Sequence, residues 1–111
     1  MAFQDITGTL LAQAAMTVDY IAVYTVPANT RTFVKDITFC NTTVGAIDIF
    51  LSLVPNEGTP GTGNAIYYSH SLASYATLQW KGVQILNAAG TIQVKASATG
   101  CTVNVSGGEA Q

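Results

Sequence analysis

Charge is what this sequence has least of. Only 9% of its 111 residues are Asp, Glu, Lys or Arg, whereas about 25% is usual for a soluble domain. Two compatible explanations fit so low a share. Either uncharged polar residues cover the surface instead, or much of the surface is buried against other subunits, where charged residues are depleted.

The scarcity of basic residues also excludes some partners. There are four, scattered along the chain, and the formal net charge is −2. Nucleic-acid binding requires a cluster of cations to neutralise phosphates, so we expect no nucleic-acid partner. No apolar run approaches the roughly 18 residues that span a bilayer, and no basic segment precedes an apolar block near residue 1. We therefore expect no membrane partner and synthesis in a cytoplasm.

Residues able to perform chemistry are equally few. The single histidine, His70, is flanked by Ser69 and Ser71. Neighbouring strand residues point to opposite faces, so neither serine is well placed for activation by the imidazole. One histidine with two distant cysteines, Cys40 and Cys101, makes no zinc-ligand cluster, and the acidic residues are too dispersed for a calcium loop. We predict no catalytic residue, no cofactor and no metal site. Cys40 and Cys101 could pair, but without a secretion signal we expect two free, half-buried thiols.

Strand signals, in contrast, are abundant. Apolar residues alternate most clearly from Ile47 to Leu53, and Pro55 follows, as expected because proline ends a strand. Gly82 lies between two predicted strands, Ala76 to Trp80 and Val83 to Leu86, and indicates a bulge or bend there. The predicted strands are Tyr20 to Val26, Phe33 to Cys40, Ile47 to Val54, Ala65 to His70, Ala76 to Trp80, Val83 to Leu86, Thr91 to Ala96 and Cys101 to Ser106.

These strands predict an all-β fold, namely a β-sandwich or jelly roll of about eight antiparallel strands. Gly and Pro residues mark the turns between them, and no segment has a convincing helical pattern. We assign residues 20–111 to the sandwich domain. Residues 1–19 mix small and apolar side chains without a clear period, and we interpret them as an extended N-terminal arm or edge strand.

Two basic residues accompany the strand that begins near Phe33. Strict alternation would place Lys35 on the same face as Phe33, Ile37 and Phe39. Lys35 and Arg31 are two of only four basic residues, and if both reach the surface on the same side they are candidates for pairing with an acidic residue of a neighbouring subunit. The alternative is that Lys35 sits at a sheet margin with its ammonium group in water.

Exposed aromatic residues could serve an interface as well. Tyr67 and Tyr68 are adjacent, so at most one faces the core, while Tyr75 and Trp80 stand near strand ends. Such residues fill cores, anchor protein interfaces or stack against sugar rings. The candidate interface residues are Arg31, Lys35, Tyr67, Tyr68 and Trp80.

In the order and spacing of several short segments, the sequence resembles a family of small virion structural proteins of tailed bacteriophages. These segments are Tyr24-Thr25-Val26-Pro27-Ala28-Asn29-Thr30, Asn41-Thr42-Thr43, Leu53-Val54-Pro55, Asn64-Ala65-Ile66, the turn from Leu86 to Ile92, and Val103-Asn104-Val105-Ser106-Gly107-Gly108-Glu109. The resemblance covers roughly residues 20–109 and brings no catalytic residue. It implies a β-sandwich or jelly-roll subunit that assembles on the particle, as a capsid decoration or cement protein or in the tail.

The sequence thus leads to the hypothesis of a non-enzymatic virion protein. We expect a capsid decoration or cement subunit that binds the major capsid protein or other virion subunits and forms a homo-oligomer, with a trimer favoured. A tail or baseplate component and a carbohydrate-binding host-recognition module are the alternatives. The carbohydrate alternative requires the exposed aromatic residues to lie close together.

Overall fold

The computed structural model describes residues 7–110, which form eight β-strands and no helix. No helix in this range could cross a membrane. The strands are β1 (Thr7–Ala15), β2 (Ile21–Thr25), β3 (Arg31–Asn41), β4 (Ile47–Val54), β5 (Ala65–Leu72), β6 (Thr77–Leu86), β7 (Thr91–Ala96) and β8 (Cys101–Ala110).

The strands form two four-stranded antiparallel sheets that together make a jelly roll. The front sheet has the order β1-β8-β3-β6 and the back sheet the order β2-β7-β4-β5. Each strand of the first half pairs with its mirror counterpart in the second half, so β1 pairs with β8, β2 with β7, β3 with β6 and β4 with β5. A double-sheet arrangement of eight strands paired in this way defines a jelly roll. The prediction of an all-β sandwich of about eight antiparallel strands is confirmed.

The core lies between the sheets and is formed by the inward residues of the alternating strands. Burying each such side chain stabilises the fold by about 1.5–3 kcal/mol relative to leaving it exposed. Among the largest side chains with almost no exposure are Phe39, Ile37, Ile49, Leu51, Ile92, Val34, Val94, Val103 and Val105.

A bulge in β3 makes one sequence prediction wrong. Val34 and Ile37 are both fully buried, and Lys35 between them is exposed. The register against β8 advances by one residue where β3 advances by two, from Val34 to Asp36. Because Lys35 is this extra residue, the alternation shifts there, and Lys35 does not share a face with Ile37.

Two strand boundaries also differ from the prediction. The two segments predicted as Ala76 to Trp80 and Val83 to Leu86 are joined in one strand, β6, which begins at Thr77. Within it, β6 advances three residues, from Gln84 to Lys81, where β3 advances two, so the predicted bulge is present at Gly82. A Cβ at this position would lie only 3.1 Å from Cζ2 of Trp80, so the missing side chain makes room for the indole ring. At the other end of the chain, β8 continues past Ser106 to Ala110.

The front sheet includes part of the segment assigned to an N-terminal arm or edge strand. Residues 7–15 form β1, which pairs with β8 along its length and stands at the edge of the sheet. Residues 1–6, which belong to the same predicted arm, lie outside the described residues. The edge strand opposite β1 is β6.

Candidate functional site

The single histidine lies on β5 next to an aromatic ring. The His70 and Tyr67 rings are 5.2 Å apart and inclined at 45°. Ser69 instead donates a long hydrogen bond of 3.4 Å to Asp48, and Ser71 pairs in register with Asp48 while His70 pairs with Ile49. Both serines thus face away from the imidazole.

A bulge produces this arrangement in β5. Ser69 has a φ of 53°, a left-handed conformation that is uncommon for residues other than glycine. The register with β4 shifts at this point, so that Leu51 pairs with Tyr67 and Ile49 with His70. Tyr67 and His70 consequently share the inward face, where the Tyr67 ring also meets the core residue Phe39 at 6.0 Å in an edge-to-face contact.

Within residues 7–110 no three His, Cys, Asp or Glu side chains come together as a group that could hold a metal ion. Cys40 and Cys101 are free thiols, the first half-buried and the second buried. Burial raises the pKa of the Cys101 thiol, and the nearby Cys40 adds to this rise. A raised pKa keeps Cys101 protonated and unreactive.

Two of the predicted interface residues lie on β5 and β6, the edge strands of the two sheets. Tyr67 faces inward from β5, and Trp80 faces inward from β6 because it pairs with the buried Ile37. Both are half-buried against the core. A cavity of about 430 Å³ lies where β4 and β6 end, lined by Leu53, Pro55, Asn56, Gln84, Ile85, Leu86, Asn87 and Ala88.

Tyr68 lies elsewhere, on the outer face of the back sheet. Its ring meets Phe50 edge-to-face at 5.1 Å, and Phe50 meets Tyr20 at 6.3 Å. The ammonium group of Lys95 lies 4.6 Å from the centre of the Phe50 ring and 5.2 Å from that of Tyr20. The rings of Tyr20, Phe50 and Tyr68 thus form an aromatic row. The Lys95 ammonium group is engaged in cation–π contacts with two of these rings.

The aromatic residues that a glycan platform would need are therefore separated. Tyr67 and Trp80 face inward from different sheets, Tyr68 stands on the outer face of the back sheet, and Tyr75 occupies the turn between β5 and β6. Sugar binding by stacking depends on neighbouring rings that face the same way. The four residues do not form such a platform.

Arg31 and Lys35 are exposed on the outer face of the front sheet, beside its edge strand. There β3 pairs with β6, so that Phe33 lies opposite Ile85. Ile85 remains 53% exposed, a high value for a strand residue of this size. We define the β6 surface as Arg31, Phe33, Lys35, Lys81, Val83 and Ile85.

Sequence reasoning missed the apolar members of the β6 surface. Val83 and Ile85 alternate with Gln84, a pattern equally typical of a strand whose apolar side faces the core. In the structure their side is the outer one, and Val83 is 60% exposed. The signal was ambiguous because the pattern does not tell which face is buried.

Two polar clusters hold the ends of the sandwich. In the first, Tyr24 of the back sheet reaches across to the front sheet, where its hydroxyl donates to the Glu109 carboxylate and accepts a 2.7 Å hydrogen bond from the Thr32 hydroxyl. Burial raises the pKa of Tyr24 to about 12, and the hydrogen bond to Glu109 contributes to the rise.

The second cluster is built around the fully buried Asn41 at the end of β3. Its amide nitrogen donates to the carbonyl oxygens of Gly45, Leu72 and Ala73 at 2.8–3.1 Å. Its amide oxygen accepts from the backbone N–H and the hydroxyl of Thr43. Asn41 thereby ties the β3–β4 loop to the β5–β6 turn.

No known protein family and no curated protein matches the sequence. Solved structures of infectious bursal disease virus share its fold. A viral-particle structure matches with a TM-score of 0.58 over 96% of this chain at 9% identity, the VP2 subviral particle with 0.52 over 96% at 11%, and the Gx strain with 0.51 over 96% at 9%. This chain spans 30%, 32% and 32% of those chains. At such low identities the likeness establishes the jelly-roll fold alone.

Proposed function

We propose that this chain is a non-enzymatic structural subunit of a virion. The observation that carries the proposal is the jelly roll, which matches virus-particle structures over 96% of the chain with a TM-score of 0.58. The low charge supports it, because 9% charged residues suits a surface that other subunits cover. Function would then come from contact area between subunits.

In its finer form, the proposal is a decoration or cement subunit on the head of a tailed bacteriophage. The tailed-phage attribution depends on the sequence resemblance, since the structural neighbours belong to a different virus. The subunit would bind the major capsid protein as a homo-oligomer, most simply a trimer. Many copies with modest contacts would together stabilise the shell.

Heating particles with and without the protein tests this role. We expect particles that lack it to release their genome at a lower temperature, measured by the fluorescence of a DNA-binding dye, because contacts between shell subunits are lost. Adding the purified protein back should restore the release temperature. Unchanged release in its absence would contradict the cement role.

A tail or baseplate position is the alternative for the same fold. It predicts that particles lacking the protein keep their heat resistance but have altered tails or adsorb poorly to cells. Electron microscopy of the two kinds of particle, together with an adsorption assay, distinguishes the two locations.

A further inference from the structure

The β6 surface combines an unpaired strand edge with exposed apolar side chains. β6 is the last strand of the front sheet, and none of the strands formed by residues 7–110 pairs with its outer edge. Next to this edge, Val83 and Ile85 are 60% and 53% exposed. A long edge with apolar side chains is a template for the addition of another strand.

The same surface is basic although the chain as a whole is acidic. It holds three of the four basic residues, while the formal net charge of the chain is −2. The one acidic side chain facing it from β3, Asp36, lies opposite Lys81. Its carboxylate accepts hydrogen bonds from the hydroxyl of Thr38 at 2.9 Å and the amide nitrogen of Gln79 at 2.6 Å.

The positions of the basic residues on the β6 surface indicate which side chains a partner strand should carry. Along the outer face of β6, Ile85 and Val83 come first and Lys81 follows, with Lys35 exposed on β3 at the level of the register shift. Arg31 lies on β3 beyond Phe33, at the other end of the apolar pair. A complementary strand therefore carries apolar residues in the middle of one face and an acidic residue at each end.

We propose that β6 binds an extended segment of another virion subunit, in which apolar residues are flanked by acidic ones, as an added strand of the front sheet. The inference rests on the proposed function only for the source of that segment. A second copy of β6 fits less well. Antiparallel pairing of two such strands would bring the basic residues of both copies onto one outer face without supplying acidic residues to pair with them.

A peptide experiment tests the proposal without a virion. The probe is the peptide Glu-Thr-Val-Thr-Val-Thr-Glu, which carries fluorescein on its N-terminal amine and an amide at its C-terminus, and its binding is measured by fluorescence anisotropy at low salt. We expect it to bind the full chain and to change the fluorescence of Trp80, which is the only tryptophan and lies on β6. Binding should weaken as salt is raised, because the paired charges are exposed.

Variants of the chain locate the site. The double substitution Lys35→Gln/Lys81→Gln should weaken peptide binding by about tenfold, the effect of losing two exposed charge pairs. Lys95→Gln removes a charge from the other sheet and should leave binding unchanged. Ile85→Ser should also weaken it, whereas Val44→Ser, at an 80% exposed site in the β3–β4 loop, should not.

Two control peptides separate the contributions of charge and backbone. Binding should be lost with Lys-Thr-Val-Thr-Val-Thr-Lys and with a version of the acidic peptide that is N-methylated at every internal residue. Equal binding of either control, or an equal loss with Lys95→Gln, would overturn the proposal.

A chain that oligomerises in sedimentation experiments, loses this association with Ile85→Ser and binds no peptide would instead show that a second copy covers β6. Absence of the protein from virions would refute the proposed function but would leave the peptide result unaffected.

Discussion

At the scale of single residues, Asn41 is the clearest case in which a polar side chain specifies the fold. It is fully buried, and its amide nitrogen donates to one carbonyl oxygen of the β3–β4 loop and to two at the end of β5 and in the turn that follows. A buried amide with every partner in place fixes the geometry around it, because any loss leaves unpaired polar groups in a low-dielectric environment. The side chain thus joins two loops that are distant in sequence.

Replacing Asn41 by aspartate should destabilise the protein by about 3 kcal/mol. The substitution keeps the size of the side chain but replaces the amide nitrogen, which donates to three carbonyl oxygens, by a carboxylate oxygen that can only accept. Urea denaturation measures the change. Asn56→Asp, at an exposed loop position, is the matched control and should have almost no effect; equal losses from the two variants would refute the role of Asn41.

Tyr24 gives a prediction for alkaline pH. Its pKa is raised to about 12 in the folded chain, compared with about 10 for an unperturbed tyrosine. The folded state therefore favours the neutral phenol. The stability that this preference contributes is complete below pH 10 and is lost as the pH rises from about 10 to about 12.

We expect Tyr24→Phe to lower the free energy of unfolding by about 1 kcal/mol near neutral pH, since it removes the hydrogen bonds with Thr32 and Glu109. The gap between wild type and variant should shrink above pH 10, where the wild type alone loses the Tyr24 contribution. Urea denaturation at several pH values measures it. A gap that stays constant up to pH 12 would rule out this linkage.

At the scale of elements, the front sheet is shaped by bulges that face each other across β8. The register of β1 shifts between Leu10 and Ala12, and that of β3 shifts between Val34 and Asp36. Gly107 pairs with Val34, directly beside the shift in β3. A Cβ there would come within 2.0 Å of the Phe33 carbonyl oxygen, so only glycine allows the strands to approach this closely.

Gly107→Ala should therefore destabilise the protein by about 3 kcal/mol. The clash is with backbone, which cannot move without breaking the pairing of β3 with β8. Thermal and urea unfolding both report the loss. Gly45→Ala provides the control, because a Cβ at Gly45 meets nothing within 4 Å; a Gly107→Ala variant as stable as this control would show that the sheet can relax.

Local sequence patterns predicted which segments form strands better than they predicted the bulges and the ends of those strands. The alternation of Ile47 to Leu53 and the turn residues around it were sufficient to identify β4, because an unbroken period of two has few other interpretations. The shift at Lys35 was not visible, since a bulge depends on how neighbouring strands pair. The bulge at Gly82 was predicted, but the continuity of β6 across it was not, because a glycine between two apolar segments fits either one bulged strand or two strands.

The candidate surface was predictable only in part for a similar reason. Arg31 and Lys35 were identified because basic residues are rare in this sequence. Val83 and Ile85 were not, because their exposure follows from the position of β6 at a sheet edge, and strand order is set by the topology of the whole chain. The opposite orientation of Tyr67 and Tyr68 was correctly inferred, since adjacent residues of a strand alternate.

At the scale of the whole molecule, the fold and the surface composition both fit the proposed role of a subunit in a larger assembly. A jelly roll places most of its apolar residues between two sheets and leaves broad outer faces. In this chain those faces are largely uncharged, with basic residues concentrated beside β6 and an aromatic row on the back sheet. Such faces suit a subunit that is covered by neighbours on more than one side.

The most direct test of the virion role is a cryo-electron microscopy map of the assembled particle. We predict density, outside the major shell protein, that fits the eight-stranded jelly roll, with β6 facing a neighbouring subunit. Mass spectrometry of the same purified particles should detect the chain. Particles that are infectious and complete but contain neither the density nor the chain would contradict the proposed function.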